Sequence, residues 1–310
     1  MWLRLCAAGL VAAILFVLEV VVGRGGWPDA ALLSLRLTRA LIATFVGASL
    51  AVAGAALQAL FQNPLADPYV LGTASGAAVG YAIGVLTGLA GFNTLSLPSM
   101  AGAVVALFAV YFLSAVRGRV SSGRMILAGV MVGFFSSSLV AVFMILARAE
   151  AVRTFYILWG NLGVVVQARD IPGLALAGLG IVLATIWLMA MSRHLDALSL
   201  GETEALSLGV DVEKVKFSVF AASGIIVGLS TAVVGAVGFV GLMVPHMARR
   251  LISPRHSLLL PGSALLGAGL VLGSDLVLRL VGFYQLPVGV LTSLLGVPFF
   301  IYLLRRSSWK

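Results

Sequence analysis

Three histidines (His194, His246, His256), three lysines (Lys214, Lys216, Lys310) and one cysteine, Cys6, are the residues of this 310-residue chain best suited to holding a metal or a phosphate. An HExxH protease sets two histidines one helical turn apart, because both rings must reach the same ion. The histidines here are isolated from one another. A phosphate-binding loop needs GxxxxGK[ST], whose amides and lysine cradle the phosphates, and no lysine follows such a run. Serines are abundant, yet no GxSxG is present. A lone cysteine forms neither an intrachain disulfide nor a thiolate cluster, and Cys6, inside an apolar run, reads as a small core residue. These absences argue against an enzyme: no catalytic residues, no metal site and no bound cofactor are expected.

Ion-coupled carriers place ionisable side chains near the bilayer centre, where one must change charge during the cycle. Here the apolar segments are nearly free of them. Glu19 lies near one end of the first segment, and Asp275 near the end of the ninth with Arg279 four residues on, a spacing that suggests a pair on one helix. His246, in VGLMVPHMARR, reads as a hydrogen-bonded helix-end residue, with Pro245 ending or kinking its short helix. An ion-coupled secondary transporter is the main alternative, without its usual machinery.

The elements that carry these residues are helical and membrane-embedded. The chain is 61% hydrophobic and only 10% charged, against roughly a quarter charged in soluble domains. A span needs about 20 apolar residues, and helix-length segments fall near 5–22, 40–60, 69–89, 98–116, 125–147, 171–191, 217–236, 239–251, 258–277 and 288–304. The expectation is an all-α integral membrane protein of ten transmembrane helices forming one domain over residues 1–310. With the N-terminus inside, thirteen Lys and Arg residues fall on the inner side and seven on the outer, so both termini are placed in the cytoplasm. The net charge of +9 is therefore topological, not a nucleic-acid footprint. Residues 1–26 lack a convincing cleavage site and are kept as the first span.

Three stretches stand out. FQNPLADPYVLG, residues 61–72, breaks the apolar run: Pro64 and Pro68 stop one helix and start the next, while Gln62, Asn63 and Asp67 cap freed backbone groups. Gly72, Gly76, Gly80, Gly84 and Gly88 follow at four-residue spacing, which stacks them on one helix face and lets a neighbouring backbone approach. Residues 192–216 carry five of the eleven acidic residues and read either as a solvated loop or as two short amphipathic helices punctuated by Gly201 and Gly209.

Several segments, taken in order, resemble one family along nearly the whole chain. They are RLTRALIATFVGASLAVAGAALQALFQNPLADPYVLGTASGA (36–77), GRMILAGV (123–130), LSLGETEALSLGV (198–210), GAVGFVGLMVPHMARRL (235–251), LPGSALLGAGLVLGSDL (260–276) and LPVGVLTSLLGVPFFIYLL (286–304). The family is that of the FecCD-type permeases of bacterial ABC importers for cobalamin, haem and iron-siderophore complexes, the cobalamin permease being most similar in pattern.

The resemblance implies a type II importer permease in the bacterial cytoplasmic membrane, paired with an identical or related permease. Two ATPase subunits, which hold the ATP and Mg, bind its inner face, and a periplasmic or lipid-anchored substrate-binding protein docks outside. By position, the resemblance implies that the ATPase-coupling helices lie at 198–210, with Gly201, Glu202, Ala205, Leu208 and Gly209 matching. It implies a cytoplasmic gate at Ser121 and Ser122 in RGRVSSGR, and binding-protein docking at Arg36, Arg39 and Arg279. Thr38 departs from the family's usual proline but leaves the arginine spacing intact.

Overall fold

In a computed structural model, residues 2–23, 29–89, 92–116, 119–147, 159–163, 170–283 and 286–306 are described. Arg24, Arg117, Arg148, Arg153, Arg169 and Lys310, counted in the charge balance above, lie outside them. Among the described residues the chain is nearly all helix: α1 (Trp2–Val21), α2 (Ala30–Leu60), α3 (Thr73–Leu86), α4 (Phe92–Ser114), α5 (Ser122–Ala147), α6 (Ile171–Ala190), α7 (Ser192–Leu198), α8 (Glu202–Ser207), α9 (Val212–Val234), α10 (Val240–Leu251), α11 (His256–Val281) and α12 (Val288–Arg306). A short antiparallel hairpin, β1 (Ala115–Val116) and β2 (Arg119–Val120), joins α4 to α5 and pairs Ala115 with Val120.

All ten apolar segments fall on helices, and seven of the helices are long and apolar enough to cross a bilayer. Thr73–Leu86, at about 1.5 Å per residue, reaches only about 21 Å, short of a hydrocarbon core of about 30 Å. The twelve-residue Val240–Leu251 is shorter still. By length and hydropathy together seven helices qualify on their own among the described residues, and the short α3 and α10 are not among them.

The central element is α2, whose alanines and glycines are buried along most of its length. It begins ten residues before the expected boundary, with Asp29 Oδ1 accepting from the Leu32 amide at 2.7 Å. Arg36 and Arg39, which had marked the end of a span, lie within it because both guanidinium groups find acceptors on neighbouring helices. A Cβ at Gly47 would meet the Gly267 backbone of α11, and one at Gly54 the Gly241 backbone of α10, so the helix axes approach where side chains are absent.

The glycine ladder packs over only part of its length. Cβ atoms at Gly76 and Gly80 would collide with the Gly102 and Pro98 carbonyls of α4, and one at Gly84 would press on the Pro98 and Leu95 side chains. Gly72 precedes α3 in a left-handed turn (φ 71°), and Gly88 lies beyond its end (φ 81°) facing open space. The expected packing role is corrected for Gly88: the helix stops at Leu86, and its glycine serves the turn.

Large apolar side chains cover much of the outside, among them Val105 and Phe112 on α4, Phe134 and Phe135 on α5 and Leu176 on α6. Such a surface suits lipid or another apolar protein face, not water. Cys6 is exposed on α1, which corrects its reading as a core residue. Pro245 sits inside α10 and does not end it.

Candidate functional site

Two polar clusters occupy opposite ends of the bundle. The first joins α1, α2 and α11. Asp275 accepts a bidentate pair from Arg39 Nε and Nη2, both at 2.6 Å, a geometry that fixes the planar guanidinium as well as neutralising it. Arg279 reaches the other way: its Nη2 lies 2.9 Å from Glu19 Oε1 and also donates to the Glu19 carbonyl. Arg36 Nη1 donates to the Val21 carbonyl at 3.0 Å. The expected Asp275–Arg279 pair on one helix is thus corrected, because each partner finds a more enclosed counterion on another helix. Arg36 and Arg279 are buried, while the Arg39 side chain keeps 23% of its surface exposed. The three arginines are therefore not displayed as free charges.

At the opposite end, α2 stops at Phe61, and Gln62 turns the chain with a positive φ. Asn63 Oδ1 accepts from the Leu65 amide at 2.9 Å, and Asp67 Oδ1 from the Tyr69 amide at 2.7 Å, capping a 3-10 turn over Pro68–Leu71. Both side chains serve the backbone of the turn. Burial pushes the Asp67 carboxyl up to about 6, with the Tyr69 N–H pulling it the other way. Tyr69 anchors the turn from beyond, its hydroxyl accepting from the Val237 amide at 2.7 Å. Gln62 makes a contact that the residue types did not announce: its Nε2 donates to the Leu198 carbonyl at 3.2 Å, tying the turn to α7.

The 192–216 segment holds two short helices, α7 and α8, and the first residues of α9, with α7 earlier than expected, ending where the 198–210 stretch begins. Asp196 holds α7 to the start of α11, accepting from the His256 amide at 2.9 Å and lying 2.7 Å from its Nδ1. Gly201 opens α8 at φ 136° and Gly209 follows it at φ 79°, both backbone shapes that favour glycine. Ala205 is fully buried under α8, whereas Leu200, Leu206 and Leu208 are each at least 60% exposed. Three leucines of this exposure around a six-residue helix form an apolar knob that its buried face holds in place.

Behind that knob lies the second cluster. Lys216 of α9 is buried, and its Nζ lies 2.7 Å from Glu202 Oε2, 3.0 Å from the Val120 carbonyl and 3.6 Å from Glu213 Oε1. Glu213 Oε2 accepts from the Val120 amide at 3.2 Å. Ser122 Oγ donates to the Leu60 carbonyl at 3.3 Å and lies 3.5 Å from Glu202 Oε1, while Ser121 is exposed. Of the expected gate residues Ser122 thus meets the expected coupling glutamate while Ser121 does not, and the same glutamate is held by a lysine that sequence reasoning had counted only for topology. An exposed Asp211–Lys214 pair at 2.8 Å lowers the aspartate's pKa and raises the lysine's beside it.

His246 lies in α10 edge-to-face with Phe299, ring centroids 6.0 Å apart, and its Nε2 is buried without a partner, which corrects its reading as a hydrogen-bonded end residue. Arg249, one turn on, donates to Gln58 Oε1, while Gln58 Nε2 donates to the Leu242 carbonyl at 3.2 Å, so an amide on α2 staples α10. Among the described residues no group of three His, Cys, Asp or Glu side chains is placed to hold a metal ion.

The FecCD transport family model matches residues 2–306. The cobalamin import system permease protein BtuC of Halobacterium salinarum is 35% identical over 272 residues, covering 88% of this chain and 72% of that protein. The vitamin B12 import system permease protein BtuC of Serratia proteamaculans is 40% identical over 276 residues, covering 88% and 81%. A solved structure described as a metal-chelate type ABC transporter in an inward-facing conformation superposes with a TM-score of 0.87 at 29% identity, over 98% of this chain and 99% of that one. A second, PsaBC from Streptococcus pneumoniae in complex with Fab, shares the fold at TM-score 0.57 and 22% identity, over 86% and 90%. With its helical bundle and two terminal polar clusters, this multi-pass membrane protein belongs to the FecCD transport family and is a permease of the ABC importer type.

Proposed function

We propose that this chain is the membrane-spanning half of an importer for a metal chelate of the cobalamin, haem or iron-siderophore class, and that it works as a pair with a second permease, most simply another copy of itself. The relatives' names support the cargo class, and the apolar flanks of α4 and α5 suit both lipid and a permease partner. In this reading the chain crosses the cytoplasmic membrane ten times with both termini inside. It binds no cofactor of its own; the partner ATPases hold ATP and Mg.

The observation that carries the mechanism is the knob of Leu200, Leu206 and Leu208, braced from below by Ala205 and bounded by Gly201 and Gly209. A short rigid helix with exposed leucines fits an apolar groove on a soluble subunit. Closure of two such ATPase subunits would then push α7 and α8 and tilt α6 and α9, between which they are strung, exchanging access between the two faces. Ser121 and Ser122, where the hairpin enters α5, are the small polar groups at the inner constriction. On the outer face Arg39, with its partly exposed guanidinium, is the member of the arginine set best placed to meet a binding protein's carboxylates, steering encounter more than adding affinity.

The test is reconstitution with the ATPases and the binding protein, with uptake of cobalamin, haem and iron-siderophore complexes measured in turn. Saturable, ATP-dependent uptake of one class is expected. Leu206→Ser with Leu208→Ser should release the ATPases and lower uptake by at least tenfold while the permease stays folded. Uptake driven by an ion gradient without ATPases, or unchanged ATPase binding by the variant, would sink the reading.

A further inference from the structure

We propose that Lys216 is a positioning residue that passes the movement of α8 to the β1–β2 hairpin and Ser122, so that ATPase closure and the inner constriction are linked through one buried ammonium. The inference rests on the reading of α8 as the ATPase-facing helix and adds the route by which its motion travels.

A lysine ammonium has three N–H donors. Lys216 has three acceptors close by: Glu202 from α8, the Val120 carbonyl from β2 and Glu213 one turn earlier on its own helix. Glu213 in turn holds the Val120 amide, so both backbone polar groups of Val120, one in each of the peptide units that flank it, are gripped by side chains of α9. Val120 precedes Ser121 and Ser122 directly, and Ser122 bonds the last residue of α2. Among the described residues, Glu202 reaches the start of α5, apart from Lys216, through the 3.5 Å contact with Ser122.

Burial decides which member transmits. The side chains of Glu202 and Glu213 are each 43% exposed and can turn into water, whereas that of Lys216 is 3% exposed and cannot. A buried charge that loses its partner is heavily penalised, so the ammonium follows its acceptors when α8 is displaced. The hairpin, held by the same ammonium, must move with it. Gln62, bonded to the Leu198 carbonyl, gives the α2–α3 turn a parallel tie to the same segment.

The experiment uses the complete transporter in proteoliposomes and reads cargo imported per ATP hydrolysed, a ratio that a loss of folded protein does not change. Lys216→Met should lower it about tenfold, within the usual range of coupling between sites, with ATPases still bound and hydrolysing. Lys216→Arg, which keeps the charge and the donors, should restore most of it. Glu202→Gln should lower the ratio similarly, and the double variant no further, because both break one link. A spin-label pair at Ser121→Cys and Ser207→Cys, with Cys6→Ser, should keep one narrow distance on ATP addition in the parent and spread into two in Lys216→Met. A parental ratio in Lys216→Met, or a double variant equal to the product of the singles, overturns the proposal. If Lys216→Met fails to assemble, Glu202→Gln and Glu213→Gln carry the same comparison. Retention of the ATPases by the Leu206/Leu208 variant instead strikes the docking reading, so the two failures are distinguishable.

Discussion

At the end of the bundle read as outward-facing, Glu19 and Asp275 are withdrawn almost completely from solvent, and each is met by an arginine from another helix. At the end read as cytoplasmic, Glu202 and Glu213 stay partly wet around a single buried lysine. The outer cluster matches two carboxylates with two arginines, one pair bidentate and the other an ion pair whose arginine also holds the Glu19 backbone carbonyl, which suits a fixed joint between α1, α2 and α11. The inner one trades that rigidity for carboxylates that can change partner. An importer of this design needs both, a frame that keeps its outer helices in register and a cytoplasmic end whose polar contacts can be redrawn.

Removing one partner at each end should separate the two sharply. Arg279→Met leaves the Glu19 carboxylate buried without a counterion, and the loss expected is about 3–5 kcal/mol, the usual result of breaking a buried pair. The double variant Glu19→Gln with Arg279→Met should recover most of it, because no unpaired charge remains. Glu202→Gln should cost only about 1 kcal/mol, since its carboxylate already shares water and Lys216 keeps the Val120 carbonyl and Glu213 as acceptors. The fraction of detergent-solubilised protein that remains monodisperse after heating measures all three. Equal losses at the two ends would erase the contrast between joint and switch.

The sequence made the helices legible because apolar runs of helix length have few other solutions in a membrane. Caps and turns were legible for a similar reason: Pro68 and Asp67 act through the backbone of their own neighbourhood, and they do what their types suggest. The misreadings of charged residues are tertiary, and that of Gly88 is local. Asp275 and Arg279 sit at a spacing that favours pairing, yet counterions on α1 and α2 won them. Gly88 continued a periodicity after its helix had ended. Lys216, lying in a basic cluster near a span end, looked like a topological charge; only the approach of β2 and α8 in space adds two acceptors to the Glu213 of its own helix. A lysine followed within a turn by continuous apolar sequence, with Glu213 three residues before it, was the one available hint.

The smallest effect should come from the turn that joins α2 to α3 on the cytoplasmic side. The Asp67 carboxyl stands near 6 in the fold against an ordinary 3.8, because burial outweighs the amide it accepts. The folded state therefore holds the proton more tightly than the unfolded chain, and stability from this group is full below about pH 4 and lost as pH rises through 6. After discounting for partial exposure the loss amounts to about 1 kcal/mol. Asp67→Asn keeps an oxygen acceptor for the Tyr69 amide and removes the charge, so its melting temperature should stay flat between pH 5 and 7.5 where the parent declines. Parallel profiles would show that the carboxylate is as well solvated in the fold as outside it. The inner turn would then belong with the adjustable contacts around Lys216, and the boundary between fixed and movable parts at the cytoplasmic end would lie at Leu60 instead of at Tyr69.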